Sequence, residues 1–269
     1  MFINIGGMQC WQKEKPLPEE FKTYLDGAEH GAILMSFGST INLAKIPEHY
    51  KTIFFEMVRQ FPQVRFIWRW DGPLPKDVPK NLMVSKWLPQ YQILSHPKLK
   101  AFISHGGLNS LTEATCHGVP VIILPLFADQ DFNGFRVEAQ EIGLRVEVRD
   151  LTVNSMQNAV KQLLTNDKYE KNMKKKSLLL RDRPMNPVES AVYWTEFVLR
   201  HEDTDSLKPM QHVDWFQRRM YDAFIALLLV AVAATLALIY ITKAVVRRLS
   251  KMNLGVSTEA ITLQAKKSD

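Results

Sequence analysis

His105, Asn109, Ser110 and Glu113 follow a pair of glycines, Gly106-Gly107, directly after the apolar run Ala101-Phe102-Ile103. Two glycines let a backbone turn tightly with its amides exposed. A helix opening there points its free N–H groups and positive dipole end at whatever binds. That is an anion site, well suited to a diphosphate. Asn109 and Ser110 add side-chain donors in the first turn. Glu113 stands four residues past Asn109, on the same helical face. A carboxylate there repels a phosphate unless it reaches past it to neutral hydroxyls, and the two hydroxyls of a ribose are its natural partners. The plainer reading is a glycine turn followed by ordinary helix capping.

Two flanking segments carry compatible chemistry. Trp87 and Gln90, in Trp87-Leu88-Pro89-Gln90, end the preceding strand, where an indole can stack on a flat base and an amide can reach a sugar hydroxyl. A core tryptophan beside a turn proline fits the same residues. Downstream, Pro125-Leu126-Phe127-Ala128-Asp129-Gln130 ends another strand with a carboxylate and an amide, a pair able to bind sugar hydroxyls, or simply a helix N-cap at Asp129.

These residues need a scaffold that brings strand ends together. Apolar runs at 32–37, 64–68, 82–87, 99–104 and 119–124 read as strands. Amphipathic segments at 47–60, 107–117, 130–142, 154–166, 168–181 and 186–200 read as helices. The alternation predicts a parallel sheet with helices on both faces, a Rossmann-like unit that binds ligands at the carboxyl ends of its strands. Gly38-Ser39, His105 to Glu113, and Asp129-Gln130 all fall there.

Charge narrows the partners. The net charge is +6, but from Lys243 onward six Lys or Arg face two acids, so that tail holds +4 of it. The rest is nearly balanced, which argues against a nucleic-acid partner. Cys10 and Cys116 have no metal-ligand spacing and imply neither a zinc site nor a disulfide framework, so buried free thiols are expected.

Residues 223–242 are uncharged for 20 positions, roughly 30 Å of helix, the thickness of a bilayer's hydrocarbon core. Trp215, Phe216, Tyr221 and Tyr240 sit where interfacial aromatics belong. A single membrane span is therefore expected. Lys243, Arg247, Arg248 and Lys251 follow it, and Lys208, Arg218 and Arg219 precede it, so the charge bias leans only slightly to a cytosolic tail. Lys266-Lys267-Ser268-Asp269 resembles a dilysine retrieval signal of endoplasmic reticulum membrane proteins. Met1 to Gly7 has neither the basic start nor the apolar stretch of a signal peptide.

In order, Trp87-x-x-Gln90, Phe102-Ile103-Ser104-His105-Gly106-Gly107-x-Asn109-Ser110-x-x-Glu113, Gly118-Val119-Pro120 and Asp129-Gln130 resemble the UDP-glycosyltransferase signature, shared by animal UDP-glucuronosyltransferases and UDP-glucosyltransferases. The resemblance implies the C-terminal, donor-binding half of a GT-B fold over 1–200, a linker at 201–222, a transmembrane helix at 223–242 and a basic cytosolic tail at 243–269. It further implies Trp87 stacked on uracil and Gln90 near the ribose. His105, Gly107, Asn109 and Ser110 would meet the diphosphate, Glu113 the ribose, and Asp129 with Gln130 the donor sugar. Ser39 and Arg69 would line the phosphate side of the same pocket. The donor would be a UDP-sugar, UDP-glucuronate or UDP-glucose, with no metal and no further cofactor. Transfer to a small lipophilic acceptor would proceed with inversion.

In that family the acceptor and the histidine base belong to an N-terminal domain, so no catalytic base is named here. His105 is expected to steady the leaving group. Expected placement is the endoplasmic reticulum membrane with the main domain in the lumen, and homo- or hetero-oligomers with full-length family members are possible partners. The alternative is a membrane-anchored UDP-sugar-binding regulatory module without catalysis.

Overall fold

The computed structural model describes residues 3–11, 15–38, 41, 46–201 and 214–265, with backbone alone described beyond Arg248. Two compact units emerge, Phe2–Glu202 and a C-terminal segment from Asp203. The first opens with a 3-10 turn at Met8–Trp11 and continues as α1 (Glu19–Asp26), β1 (Ala32–Ser36), α2 (Glu48–Arg59), β2 (Arg65–Arg69), β3 (Leu82–Ser85), α3 (Gln90–Leu94), β4 (Leu99–Ser104), α4 (Leu108–His117), β5 (Val121–Ile123), α5 (Gln130–Ala139), β6 (Gly143–Arg145), α6 (Val153–Thr165), α7 (Lys168–Arg181) and α8 (Pro187–Arg200).

Local chemistry sets several boundaries. Thr152 and Ser155 form a reciprocal capping box that starts α6. Asn186 accepts from the Val188 amide with Pro187 in the first turn, which starts α8. Gly118, at φ 71°, takes the left-handed conformation that ends α4.

All strand pairs are parallel, in the order β3-β2-β1-β4-β5-β6. The direction of winding reverses between β1 and β4, where Ser36 registers with Ser104. A crevice opens at such a reversal, because the loops leaving the two strands diverge to opposite sides of the sheet.

Alternate strand residues feed two cores. Ile33, Met35, Phe66, Trp68 and Ile103 pack against Phe54, Met57 and Val58 of α2 and Met156 and Val160 of α6. Ala32, Leu34, Ile67, Phe102 and Ile123 pack against Leu25 of α1, Ile93 of α3, Ala114 of α4 and Val137 of α5. Each large side chain removed from water adds about 1.5–3 kcal/mol, so the sheet is a rigid base for the loops at its rim.

The predicted strands and long helices are present, with ends displaced by a few residues; β5 is only Val121–Ile123 where 119–124 was expected. α1, α3 and β6 were not anticipated. α3 has five residues and β6 three, too few for a period to show.

One expectation is overturned. Cys10 and Cys116 form a disulfide, with Cα atoms 5.2 Å apart, and are not free thiols. The pairing joins positions separated by 106 residues, and only the packing of the opening turn against α4 brings them within bonding distance.

The C-terminal unit contains α9 (Trp215–Arg218) and α10 (Tyr221–Ala265). Over Tyr221–Arg248, α10 is long and apolar enough to cross a membrane. Its apolar side chains are exposed, Leu236 at 61% and Tyr240 at 76%. The helix extends beyond the anticipated 223–242 in both directions. The dilysine at 266–267 lies outside the described residues.

Candidate functional site

The reversal between β1 and β4 places two loops side by side. Gly38 leaves β1 at φ 76°, and a Cβ there would stand 2.9 Å from Cε1 of His105. A Cβ on Gly107 would stand 2.6 Å from the His105 Nε2. The imidazole is thus wedged between two backbones that only glycine allows so close. His105 is 8% exposed, and burial lowers its pKa, with Asp129 pulling the other way. The ring is therefore neutral at physiological pH, one nitrogen donating and the other accepting. Ser104 Oγ lies 3.4 Å from Nδ1 and accepts from the Gly106 amide at 3.3 Å.

Gly107 caps α4 without a side-chain hydrogen bond. The first-turn amides of α4 therefore keep their donors for an incoming acceptor, backed by the helix dipole. Asn109 is exposed in this turn and Ser110 half-buried beside it.

Glu113 sits one turn further along α4. Its Oε2 accepts from Nε2 of Gln90 at 2.7 Å, and the same Nε2 lies 3.3 Å from Ser110 Oγ. Gln90 is the first residue of α3, so two helices converge on one carboxylate. Burial raises the Glu113 pKa, the Gln90 hydrogen bond opposing it. The ionised form is thus short of donors, which is the condition for capturing hydroxyls from a ligand. Trp87, between β3 and α3, is 68% exposed and offers an open aromatic face rather than a core side chain.

Asp129 is exposed at the start of α5 and accepts from Asn133 Nδ2 at 2.8 Å. Gln130 turns its carbonyl toward its own loop. It is 3% exposed, and its Oε1 accepts from the Leu126 and Phe127 amides at 2.8 and 3.1 Å. That carbonyl shapes the loop carrying Asp129. Arg69, at the end of β2, donates from Nη1 to the Gly38 carbonyl and from Nε to the Lys86 carbonyl at 3.3 Å. It ties the carboxyl ends of three strands together. Ser39 lies outside the described residues.

Two residues were missed in the sequence. Asn133 donates to the Gly106 carbonyl at 2.9 Å as well as to Asp129, joining the glycine corner to α5. Its signal was the four-residue spacing Asp129 to Asn133, which puts both on one helical face. Gln9 donates to Asn109 Oδ1 at 3.3 Å from the opening turn, and no local pattern announces it.

A doubly wound parallel sheet with an anion-ready helix start, a half-buried carboxylate and an exposed indole at its switch point defines a Rossmann-type ligand-binding unit. The chain belongs to the UDP-glycosyltransferase family: it matches the family described as "UDP-glucoronosyl and UDP-glucosyl transferase" over residues 1–254. Rat UDP-glucuronosyltransferase 1A7 is 37% identical over 240 residues, covering 88% of this chain and 44% of the relative. Mouse UDP-glucuronosyltransferase 1A1 is 38% identical over 222 residues, covering 82% and 41%. The chain thus spans less than half the length of these relatives.

Among solved structures, UDP-glucose: anthocyanidin 3-O-glucosyltransferase in complex with UDP aligns with a TM-score of 0.61 at 22% identity, over 71% of this chain and 45% of that one. The kitacinnamycin glycotransferase aligns with a TM-score of 0.57 at 22% identity, over 69% and 46%. The fold is that of one Rossmann-like half of a GT-B glycosyltransferase.

Proposed function

We propose that this chain is the donor-binding half of a membrane-bound UDP-glycosyltransferase that uses UDP-glucuronate or UDP-glucose. The observation that carries the reading is the graded site along α4. Trp87 and the Gln90–Glu113 pair stand at one end, and His105 with the free amides at the other. Uracil stacks on Trp87, the ribose hydroxyls donate to Glu113, and the diphosphate faces the α4 start with Asn109 and Ser110. Asp129 takes hydroxyls of the sugar, and Gln130 holds the loop that presents it. UDP-glucose: anthocyanidin 3-O-glucosyltransferase, which has a like fold, was solved in complex with UDP, and this supports a uridine nucleotide as the ligand class.

In the transfer, an acceptor oxygen attacks the anomeric carbon as the bond from that carbon to the β-phosphate oxygen breaks. The bonding pair leaves on UDP, and the α4 amides and dipole meet the charge that develops there. A neutral His105 contributes by donating a hydrogen bond to the departing phosphate. No metal is assigned a part in this reading. The base that removes the acceptor proton is assigned to the N-terminal half of the longer relatives, which also recognises the lipophilic acceptor.

Placement of the site unit in the lumen of the endoplasmic reticulum, with α10 as its anchor, is supported by the Cys10–Cys116 disulfide, since such bonds persist in oxidising compartments. Protease protection of sealed microsomes tests it: digestion of the site unit from the cytosolic side would overturn this topology.

Calorimetric titration of the full chain in detergent with UDP tests the donor reading. His105→Ala should weaken UDP by about 1–3 kcal/mol, and an unchanged affinity would remove the diphosphate role. Robust sugar transfer by this chain alone would overturn both the non-catalytic module alternative and the assignment of the base to another half.

A further inference from the structure

The opening 3-10 turn lies about a hundred residues from the glycine corner in sequence, yet it is fastened to α4 at two levels. At the far end of α4, Cys10 is bonded to Cys116. Arg181 of α7 reinforces that link, donating from Nη1 to the Cys10 carbonyl at 3.2 Å and from Nε and Nη2 to the Cys116 carbonyl at 3.3 and 3.0 Å. Ser177 Oγ donates to the same Cys116 carbonyl at 2.8 Å. The turn, α4 and α7 are therefore one block.

Asn109 precedes Cys116 by seven residues, about two turns, and so shares its stripe of the helix. Along that stripe Gln9, the neighbour of Cys10, reaches back toward the ligand end, where its Nε2 lies 3.3 Å from Asn109 Oδ1.

An amide side chain has an accepting and a donating end, and a site for an anion can use only the second. We propose that Gln9 is a positioning residue of the donor site. It engages the Asn109 oxygen so that the Asn109 Nδ2 donor is left for the diphosphate, and the Cys10–Cys116 disulfide holds it there. Without Gln9 the amide rotates freely, and its oxygen opposes the phosphate in part of the population. Gln9 belongs to the 3-10 turn ahead of the sheet, so the donor site depends on a segment a hundred residues away in sequence. This inference rests on the donor-site reading given above.

The test titrates the full chain in detergent with UDP and, separately, with uridine, which lacks the phosphates. Gln9→Ala should weaken UDP about 3- to 10-fold, the worth of one neutral hydrogen bond, and leave uridine within about twofold. In an Asn109→Ala background, Gln9→Ala should change UDP affinity no further. A Cys10→Ala/Cys116→Ala chain that keeps its far-ultraviolet circular dichroism should show the same loss for UDP with uridine retained. If it unfolds, the Gln9 variants, which keep the disulfide, decide the matter. Failure of the unmodified chain to bind UDP would overturn the donor-site reading itself. UDP binding that is insensitive to Gln9→Ala, equal losses for UDP and uridine, or additivity with Asn109→Ala would overturn the positioning role alone.

Discussion

Glu113→Ala offers a direct test of the division of labour along α4. The carboxylate is half-buried, accepts one hydrogen bond from Gln90 at 2.7 Å, and has a pKa raised chiefly by burial. A ribose offering two hydroxyls would restore acceptor partners that burial has removed. A hydrogen bond to a charged group contributes about 1.5–3 kcal/mol. Two such bonds, less the desolvation of the carboxylate and its sharing with Gln90, leave a net loss of about 1.5–3 kcal/mol, or about 10- to 150-fold in Kd.

The assay compares UDP with 2′,3′-dideoxy-UDP by calorimetry. The unmodified chain should prefer UDP, and Glu113→Ala should erase the preference while leaving the dideoxy compound little changed. Equal losses for both nucleotides would refute the ribose role.

Stability should move the opposite way. A folded pKa above the unfolded one means that the native state holds more protons between the two values. Stability therefore falls as pH rises through that window, and the cost persists at neutral pH. Glu113→Gln should accordingly raise the melting temperature at pH 7 while lowering UDP affinity.

Further outcomes follow from neighbouring residues. Trp87→Ala should weaken UDP and uridine alike by about 1–3 kcal/mol, the usual worth of base stacking; with the indole 68% exposed, the denaturation midpoint should hardly move. Gly107→Ala puts a methyl group 2.6 Å from His105 Nε2, so nucleotide titration should show UDP affinity lost with uridine binding largely kept. His117 is half-buried, packs edge-on against Tyr91, and has its pKa pushed down to about 4 by burial first and Arg181 second. Its folded pKa lies below the unfolded value, so unfolding takes up a proton between about 6.5 and about 4, and stability falls as pH drops through that window. His117→Asn should flatten the melting temperature against pH there, as followed by circular dichroism.

The glycine corner was legible because its chemistry is local. Two glycines after an apolar run, then Asn109, Ser110 and Glu113 at helical spacing, contain the turn, the helix start and the shared face within one short segment. Strand and helix periods likewise come from neighbouring residues, and the length of an apolar run is a fair measure of a membrane span. Gln130 shows where such reading stops. Its type suits a sugar contact, but only its burial and its bonds to Leu126 and Phe127 show the carbonyl already engaged.

What the sequence by itself determined is therefore the class of sheet, the strand-to-helix corner with its two glycines, and the apolar helix that can cross a membrane. Each depends on contacts within about one helical turn or one strand. The tertiary structure alone decided that β4 lies beside β1, which puts His105 against Gly38. It alone paired Gln90 with Glu113, Asn133 with Gly106 and Cys10 with Cys116. Those partners are 23 to 106 residues apart, and no local period encodes a meeting set by strand order and by which helix covers which face.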